Sequence, residues 1–273
     1  MLLSSSAEAQ RRYKPMQEFG LVFGTSYYLG DINPEKHFGT QLKMGGGAMY
    51  RINFDTRWSM KASLVFASIE AYDSDSDDPW QLNRNLSFRN DVVEGALTAE
   101  LNFFDYELGN NRLNPVTPYY FMGLAYYKMK PMGQYNGVWY ELQPLGTEGQ
   151  GTTEGGELYT VTGLSVPFGL GVKANVFKII GVSLEWGMRK TWTDYFDDVS
   201  GTYVDPDVLE DENGRVAMLL ADRSLDTFGP DDSNIGMQRG DPGRKDWYSF
   251  ATVTLSIRLT KPQGTCWENS HFR

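Results

Sequence analysis

The chain has 273 residues and a formal net charge of −10, with a pI near 4.8, a balance that argues against an electrostatic grip on nucleic acid. It contains no run of about 18 apolar residues, so no transmembrane helix is expected; alternating barrel strands would escape that test. A single cysteine rules out an internal disulfide framework, while 29 glycines and many aromatics suit strands joined by turns.

The N-terminal stretch 1–10 reads as the remnant of a secretory signal or as a disordered terminus. Leu2 and Leu3 would close an apolar region, and Ala7-Glu8-Ala9 offers a small-x-small cleavage site before Gln10. Residues 11–260 then carry eight segments with a period of two, the mark of strands whose successive side chains point to opposite faces. The first, Met16–Leu29, sets Phe19, Leu21, Phe23 and Tyr27 against Glu18, Gly20, Gly24 and Ser26. The second, Gln41–Ile52, is glycine-rich and places Arg51 opposite Ala48, Tyr50 and Ile52. The third, Trp58–Tyr72, opposes Lys61 and Ser63 to Met60, Ala62, Leu64 and Phe66.

A polar connection beginning at Asp73 leads to the fourth segment, Arg89–Phe104, where Glu94, Thr98, Glu100 and Asn102 oppose Val93, Leu97, Leu101 and Phe103. The fifth, Thr117–Lys130, is ambiguous; Gly123 and Ala125 suit a crowded interior, which turns Tyr120, Met122, Leu124 and Tyr126 outward. Pro131–Glu157 reads as a long loop. The sixth segment, Leu158–Val176, carries Lys173 on its polar face, and its Pro167 predicts a bulge or local fray. The seventh starts at Val182 and alternates Leu184, Trp186 and Met188 with Glu185, Gly187 and Arg189. A loop at 195–245 precedes the eighth, Asp246–Thr260, whose polar face ends at Arg258.

Connections are shorter after segments two, four and six, and longer after one, three, five and seven. That asymmetry predicts an eight-stranded antiparallel transmembrane β-barrel with short periplasmic turns, long extracellular loops and both termini in the periplasm. In lipid the apolar stripes face acyl chains, while Arg51, Lys61, Glu94, Glu100, Lys173, Glu185, Arg189 and Arg258 neutralise one another within. An eight-stranded barrel is just wide enough for side chains to fill it, so the network is expected to plug the lumen. Aromatics near the strand ends (Tyr27, Tyr28, Trp58, Tyr119, Tyr120, Trp192, Tyr195, Trp247) read as boundary girdles.

Catalysis has thin support, and the expectation is a protein that is not an enzyme and needs no cofactor. His37 and His271 fall at opposite ends of such a barrel, so no Ser-His-acid site can use both; His37 with a nearby serine such as Ser26 is the one alternative. Neither Asp73-Ser74-Asp75-Ser76-Asp77-Asp78 nor Asp194 with Asp197 and Asp198 has the spacing of a calcium loop, and both read as solvated loop acids. Cys266, in the tail 261–273, would lie in an oxidising compartment, where an unpaired cysteine suggests either an intermolecular disulfide or an inert thiol.

Several stretches resemble a family. Glu18-Phe19-Gly20 running to Tyr28-Leu29-Gly30-Asp31-Ile32-Asn33 is similar to the opening of PorG-like outer-membrane proteins of the Bacteroidetes type IX secretion system. Tyr50-Arg51-Ile52-Asn53-Phe54 and Glu100-Leu101-Asn102-Phe103-Phe104 also resemble it. The most specific stretch is Arg189-Lys190-Thr191-Trp192-Thr193-Asp194-Tyr195 with Asp197-Asp198-Val199-Ser200-Gly201-Thr202-Tyr203. The resemblance implies a non-enzymatic barrel that ties a periplasmic ring of PorK-like and PorN-like subunits to the outer membrane. It makes the tail, with Lys261, Cys266 and Trp267, a plausible contact. A general small outer-membrane barrel serving envelope stability or adhesion is the alternative.

Overall fold

The computed structural model describes residues 14–260 other than 39–40, 111, 154, 228 and 230–231. Nine strands form: β1 Met16–Leu29, β2 Lys43–Asn53, β3 Trp58–Tyr72, β4 Ser87–Asn102, β5 Val116–Tyr135, β6 Val138–Glu141, β7 Thr162–Asn175, β8 Ile180–Thr191 and β9 Trp247–Arg258. Around the sheet the order is β4-β3-β2-β1-β9-β8-β7-β5, and β4 pairs with β5 to close the ring. Every pairing is antiparallel. The result is a closed eight-stranded antiparallel barrel whose wall has no edge strand.

Alternation and register together bring apolar residues side by side on the outer face. Leu21 lies opposite both Ala48 and Leu255, Leu97 opposite Leu124, Leu170 opposite Trp186, and Leu184 opposite Val253. These side chains stay exposed, Leu124 at 63% and Leu184 at 56%. Such a continuous apolar belt far exceeds the isolated patches that water tolerates on a soluble monomer, and hydrocarbon is its matching solvent. In β5 the orientation expected from Gly123 and Ala125 holds: Tyr120, Met122, Leu124 and Tyr126 are exposed, and Ala125 is buried.

The ends of the barrel differ in most connections as predicted, but 103–115, after the fourth strand of the barrel, is as long as 30–42, after the first. Residues 54–57, 103–115 and 176–179 join strands at the end where β1 begins and β9 stops; 30–42, 73–86, 136–161 and 192–246 lie at the other, here called the mouth. The long connections contain structure that the alternation did not reveal. Residues 131–135 prolong β5, and 132–135 pair with β6, making a hairpin where a loop was expected. Short helices follow at α1 Pro79–Arg84, α2 Pro206–Glu212 and α3 Arg215–Ala221. Asp78 and Asp205 cap α1 and α2 by accepting from the backbone N–H of Trp80 and Asp207, with proline in the first turn of each.

Pro167 interrupts one ladder and spares the other. The β5–β7 pairs stop at Met122↔Phe168 and resume at Ala125↔Ser165 in the same register, whereas β7–β8 runs through Pro167↔Arg189. It is a local gap, not a bulge, because no residue is inserted. The girdle needs correction too. Trp58, Tyr120 and Trp192 are exposed, but Tyr28 and Tyr119 are buried inside the barrel, and Tyr27 lies beneath His37 and Phe38. Neighbours on a strand face opposite sides, so Tyr27 with Tyr28, and Tyr119 with Tyr120, could never share a girdle.

A charge placed in the apolar belt tests its solvent. Leu97→Arg should lower the unfolding free energy in lipid vesicles by about 2–4 kcal/mol, read from denaturant titration. A change within about 0.5 kcal/mol, as at an ordinary water-facing site, would show that the belt does not face hydrocarbon.

Candidate functional site

The lumen is filled in two layers. Toward the short turns, inward residues of β1, β2, β3, β4, β7 and β8 build an ionic cluster around Glu100 of β4. Arg51 Nε lies 2.8 Å from Glu100 Oε2, Lys173 Nζ 2.6 Å from the same oxygen, and Lys61 Nζ 3.4 Å from Oε1. Arg51 also reaches Glu18 at 3.2 Å, and Lys61 pairs with Glu185. Ser59 donates to Glu100 at 3.1 Å, Asn53 and Ser256 to Glu18 at 2.8 and 2.9 Å, and Tyr119 to Glu185 at 2.8 Å. Three carboxylates thus meet three cations, and hydroxyl and amide donors add further hydrogen bonds to each carboxylate, which helps to make a buried ionic network tolerable.

Two further pairs bracket this cluster. Arg189 of β8 lies 3.3 Å from Glu94 of β4, beside Tyr248, which donates to the same glutamate at 2.7 Å. At the short-turn end Arg258 reaches Glu107 at 2.9 Å. All eight residues named from the sequence therefore sit inside, but Glu185 and Arg189 take separate partners. Glu107, in a turn, escaped sequence reasoning because no alternation places it. Room for the aromatics comes from glycine: a Cβ on Gly171 would meet the Tyr119 ring at 2.4 Å, and one on Gly187 would meet Phe121 at 2.5 Å.

Toward the mouth the filling changes character, against the expectation of an ionic plug throughout. Tyr28, Val65, Ile69, Phe88, Val92, Tyr127, Met129, Tyr248 and Phe250 form an apolar core with Ile32, Leu142, Phe196, Val199 and Leu220 from the loops. Phe196 enters the mouth between Tyr127 and Tyr248, with ring centroids 5.0 Å from each. The stretch Asp194–Tyr203 is therefore a cap folded into the barrel mouth, and Asp194, Asp197 and Asp198 are buried where solvated loop acids were expected.

Acids hold the cap, and they are buried. The Tyr28 hydroxyl lies 2.6 Å from Asp197 Oδ2 and 2.7 Å from Asp246 Oδ1, and accepts from the Asp31 N–H at 3.0 Å. One phenol has one proton to give, so one of the two carboxyls must carry a proton of its own. Burial pushes Asp197 well above the usual carboxylate range, reinforced by the charges of Asp246 and Asp31, and burial does the same to Asp246. Asp198 accepts from Thr147 at 2.5 Å and Tyr159 at 2.6 Å, with its backbone at a φ of 66°. Burial raises it to about 6 against the opposing pull of Arg239. Arg239 donates to Glu148 at 2.8 Å and to the Asp198 carbonyl at 2.6 Å, while Glu148 accepts from the Ser200 and Gly201 N–H groups. Arg84, held by Asp73 through two 2.7 Å bonds, donates to the Arg239 carbonyl.

The remaining sequence candidates are not brought together. Ser26 points inward and donates to the Ser68 carbonyl at 2.5 Å, whereas His37 lies on the outer side against Tyr27, 3.2 Å from its hydroxyl. No Ser–His dyad forms there. The acidic runs are structural: Asp73 pairs with Arg84, Asp77 with Lys36 at 3.2 Å, Asp78 caps α1, and Asp194 accepts from Ser200 at 2.6 Å. Lys261, Cys266, Trp267 and His271, together with stretch 1–10, lie outside the described residues. Sequence reasoning missed Tyr28, Arg84, Glu148, Arg239 and Asp246 as cap residues; the composition of 194–203 was the one available signal.

A family model described as a domain of unknown function, DUF6089, matches residues 1–213. No curated protein matches the chain. Among solved structures, the attachment invasion locus protein Ail of Yersinia pestis, in complex with the heparin analogue sucrose octasulfate, is 8% identical, with 90% of this chain and 100% of that chain covered and a TM-score of 0.42. The N-terminal β-barrel domain of Pseudomonas aeruginosa OprF is 9% identical, covering 89% and 97% with a TM-score of 0.36. Neisserial surface protein A is 6% identical, covering 89% and 96% with a TM-score of 0.38. Closure of the present barrel rests on its own strand pairing.

Two outcomes are expected. Glu100→Gln, which keeps the volume and removes the charge, leaves Arg51, Lys61 and Lys173 under-neutralised and should cost about 3–5 kcal/mol of stability in denaturant titration. For the cap, a carboxyl raised on folding binds its proton tighter in the folded state. Its stabilising share is complete below the ordinary value of 3.8 and is lost as pH rises through about 6, the value of both Asp31 and Asp198. Hydrogen exchange at 194–203, corrected for intrinsic rate, should therefore show less protection above that window than below it; level or rising protection would contradict the assignment.

Proposed function

The chain belongs to the DUF6089 family; from its own barrel and from the stretches that resemble PorG-like proteins, we propose that it is a non-enzymatic outer-membrane barrel that anchors a periplasmic ring of the type IX secretion machinery. The observation that carries the membrane part is the pairing of an uninterrupted apolar exterior with a lumen closed by charge and then by aromatics. Such a barrel suits holding better than conducting. The anchoring part is supported by the sequence stretches that resemble PorG-like proteins, above all Asp194–Tyr203. In this reading the mouth faces the cell exterior, and the short turns and both chain ends face the periplasm. The tail with Lys261, Cys266 and Trp267 meets PorK-like and PorN-like subunits there, with an intermolecular disulfide at Cys266 as one means. Purification from mild detergent should recover ring subunits, and deletion should abolish cargo export. Recovery of the barrel alone, with export intact, would refute the anchor.

A second reading is favoured by the ordered, helix-bearing structure over the mouth, which exceeds what an anchor needs: a general outer-membrane barrel acting in envelope stability or surface adhesion. Replacing 205–238 with a short linker, and so sparing the Arg239 strut, separates the two. A surface role should be lost, whereas ring recovery should persist.

A further inference from the structure

A cleft of about 550 Å³ opens beside the mouth, where β7 and β8 leave the apolar belt. Its lower wall is lipid-facing: Leu164 of β7 and Trp192, which directly follows β8, are both exposed, Trp192 at 59%. Its upper wall includes Tyr195, stacked on Tyr159 with ring centroids 4.5 Å apart and planes 2° from parallel. Asp194 lines the cleft although only 3% of it is exposed. Its Oδ2 accepts from Ser200, and its Oδ1 has no hydrogen-bond partner. A buried carboxylate oxygen without a donor costs free energy. Burial accordingly raises Asp194 above its ordinary value, with Glu148 and Asp241 adding repulsion and Lys245 partly offsetting it. Lys245 stands exposed on the same cleft and gives one N–H to the Pro242 carbonyl at 2.8 Å, which leaves two of its three donors.

These features call for a ligand with a hydrogen-bonding cation for Asp194 Oδ1, an anion for Lys245 and an apolar body running down past Trp192 and Leu164. We propose that the cleft is a binding site for a membrane lipid whose headgroup joins a primary ammonium to a phosphate, the phosphoethanolamine chemistry. The ammonium donates to Asp194 Oδ1, the phosphate accepts from Lys245, and the acyl chains lie on the outer face of β7 and β8. Trp192 sits at the boundary depth that indole favours, where an apolar ring meets headgroups. The proposal rests on the seat of the barrel in a membrane and is independent of the anchoring role.

The test is native mass spectrometry of the full chain refolded in detergent and titrated with phosphatidylethanolamine, phosphatidylcholine or phosphatidylglycerol. Migration of unheated samples in denaturing gels, which reports the folded barrel, checks the membrane seat separately. Phosphatidylethanolamine should be retained about tenfold more strongly than the other two, the scale of one charge-assisted hydrogen bond. Trimethylation removes the N–H donors in the choline lipid, and the glycerol lipid has no cation. Asp194→Asn keeps an acceptor for Ser200 and should erase that preference. Lys245→Gln, on the exposed rim, should weaken the ethanolamine and choline lipids alike and keep their ratio. Equal retention of the three lipids by the native chain, an unchanged preference in Asp194→Asn, or unaltered binding in Lys245→Gln would each overturn the site. Displacement by soluble phosphoethanolamine at the concentration where the lipid binds would overturn the lipid assignment.

Discussion

One carboxylate, that of Glu100, faces Arg51, Lys61 and Lys173 at once, and the inside-out character of the barrel depends on how that convergence is resolved. Each cation comes from a different strand, so the cluster ties β2, β3 and β7 to β4 across the lumen and not merely around the wall. Ion pairs so deeply buried repay their desolvation only when geometry and auxiliary hydrogen bonds are both good. Here Glu18 and Glu185 balance the charge, while Ser59, Asn53, Ser256 and Tyr119 complete the hydrogen bonding. With its charges paired inside, the chain can give its outer face to apolar side chains.

The lumen is nevertheless not uniform, and the change in filling marks a change in task. Charges occupy the half nearest the short turns, where only the 103–115 connection adds buried side chains, Tyr106 and Leu108. At the mouth the long connections supply Ile32, Leu142, Phe196, Val199 and Leu220, so an ordinary hydrophobic core forms between barrel and cap. The cap is then pinned at its polar atoms by buried aspartates. Carboxyls in such surroundings hold protons that they would lose in water, which makes closure of the mouth an acid-favoured state.

Much of this was legible in the sequence, because a two-residue period fixes the face of every side chain in a strand. The bounds of β1 and β3 coincide with those read from alternation, and the inward set Arg51, Lys61, Glu94, Glu100, Lys173, Glu185, Arg189 and Arg258 follows from parity alone. The partners do not: which acid meets which base depends on register and on reach across the lumen, and neither is written in any one strand. The helices α1 to α3 were missed because six or seven residues span too few turns to show a period. The girdle was misread where adjacent tyrosines were counted together in spite of the pleat. Asp194–Tyr203 was visible as an unusual composition, but its burial under Tyr28, Arg239 and Glu148 required contacts between parts of the chain far apart in sequence.

The ring is closed by β1 against β9, the first and last of the described strands, in a continuous ladder from Glu18↔Arg258 to Leu29↔Trp247. Until β9 is available, β1 and β8 each present a free backbone edge, and hydrocarbon offers nothing to satisfy it. No shorter N-terminal piece of the chain can therefore rest in a bilayer as a partial barrel. Insertion must wait for the final strand, which couples membrane entry to a contact of very high sequence separation and makes it an intrinsically slow, all-or-none event. The cap connection lies between β8 and β9, so Phe196 can take its place in the mouth only once that same closure has formed the mouth around it.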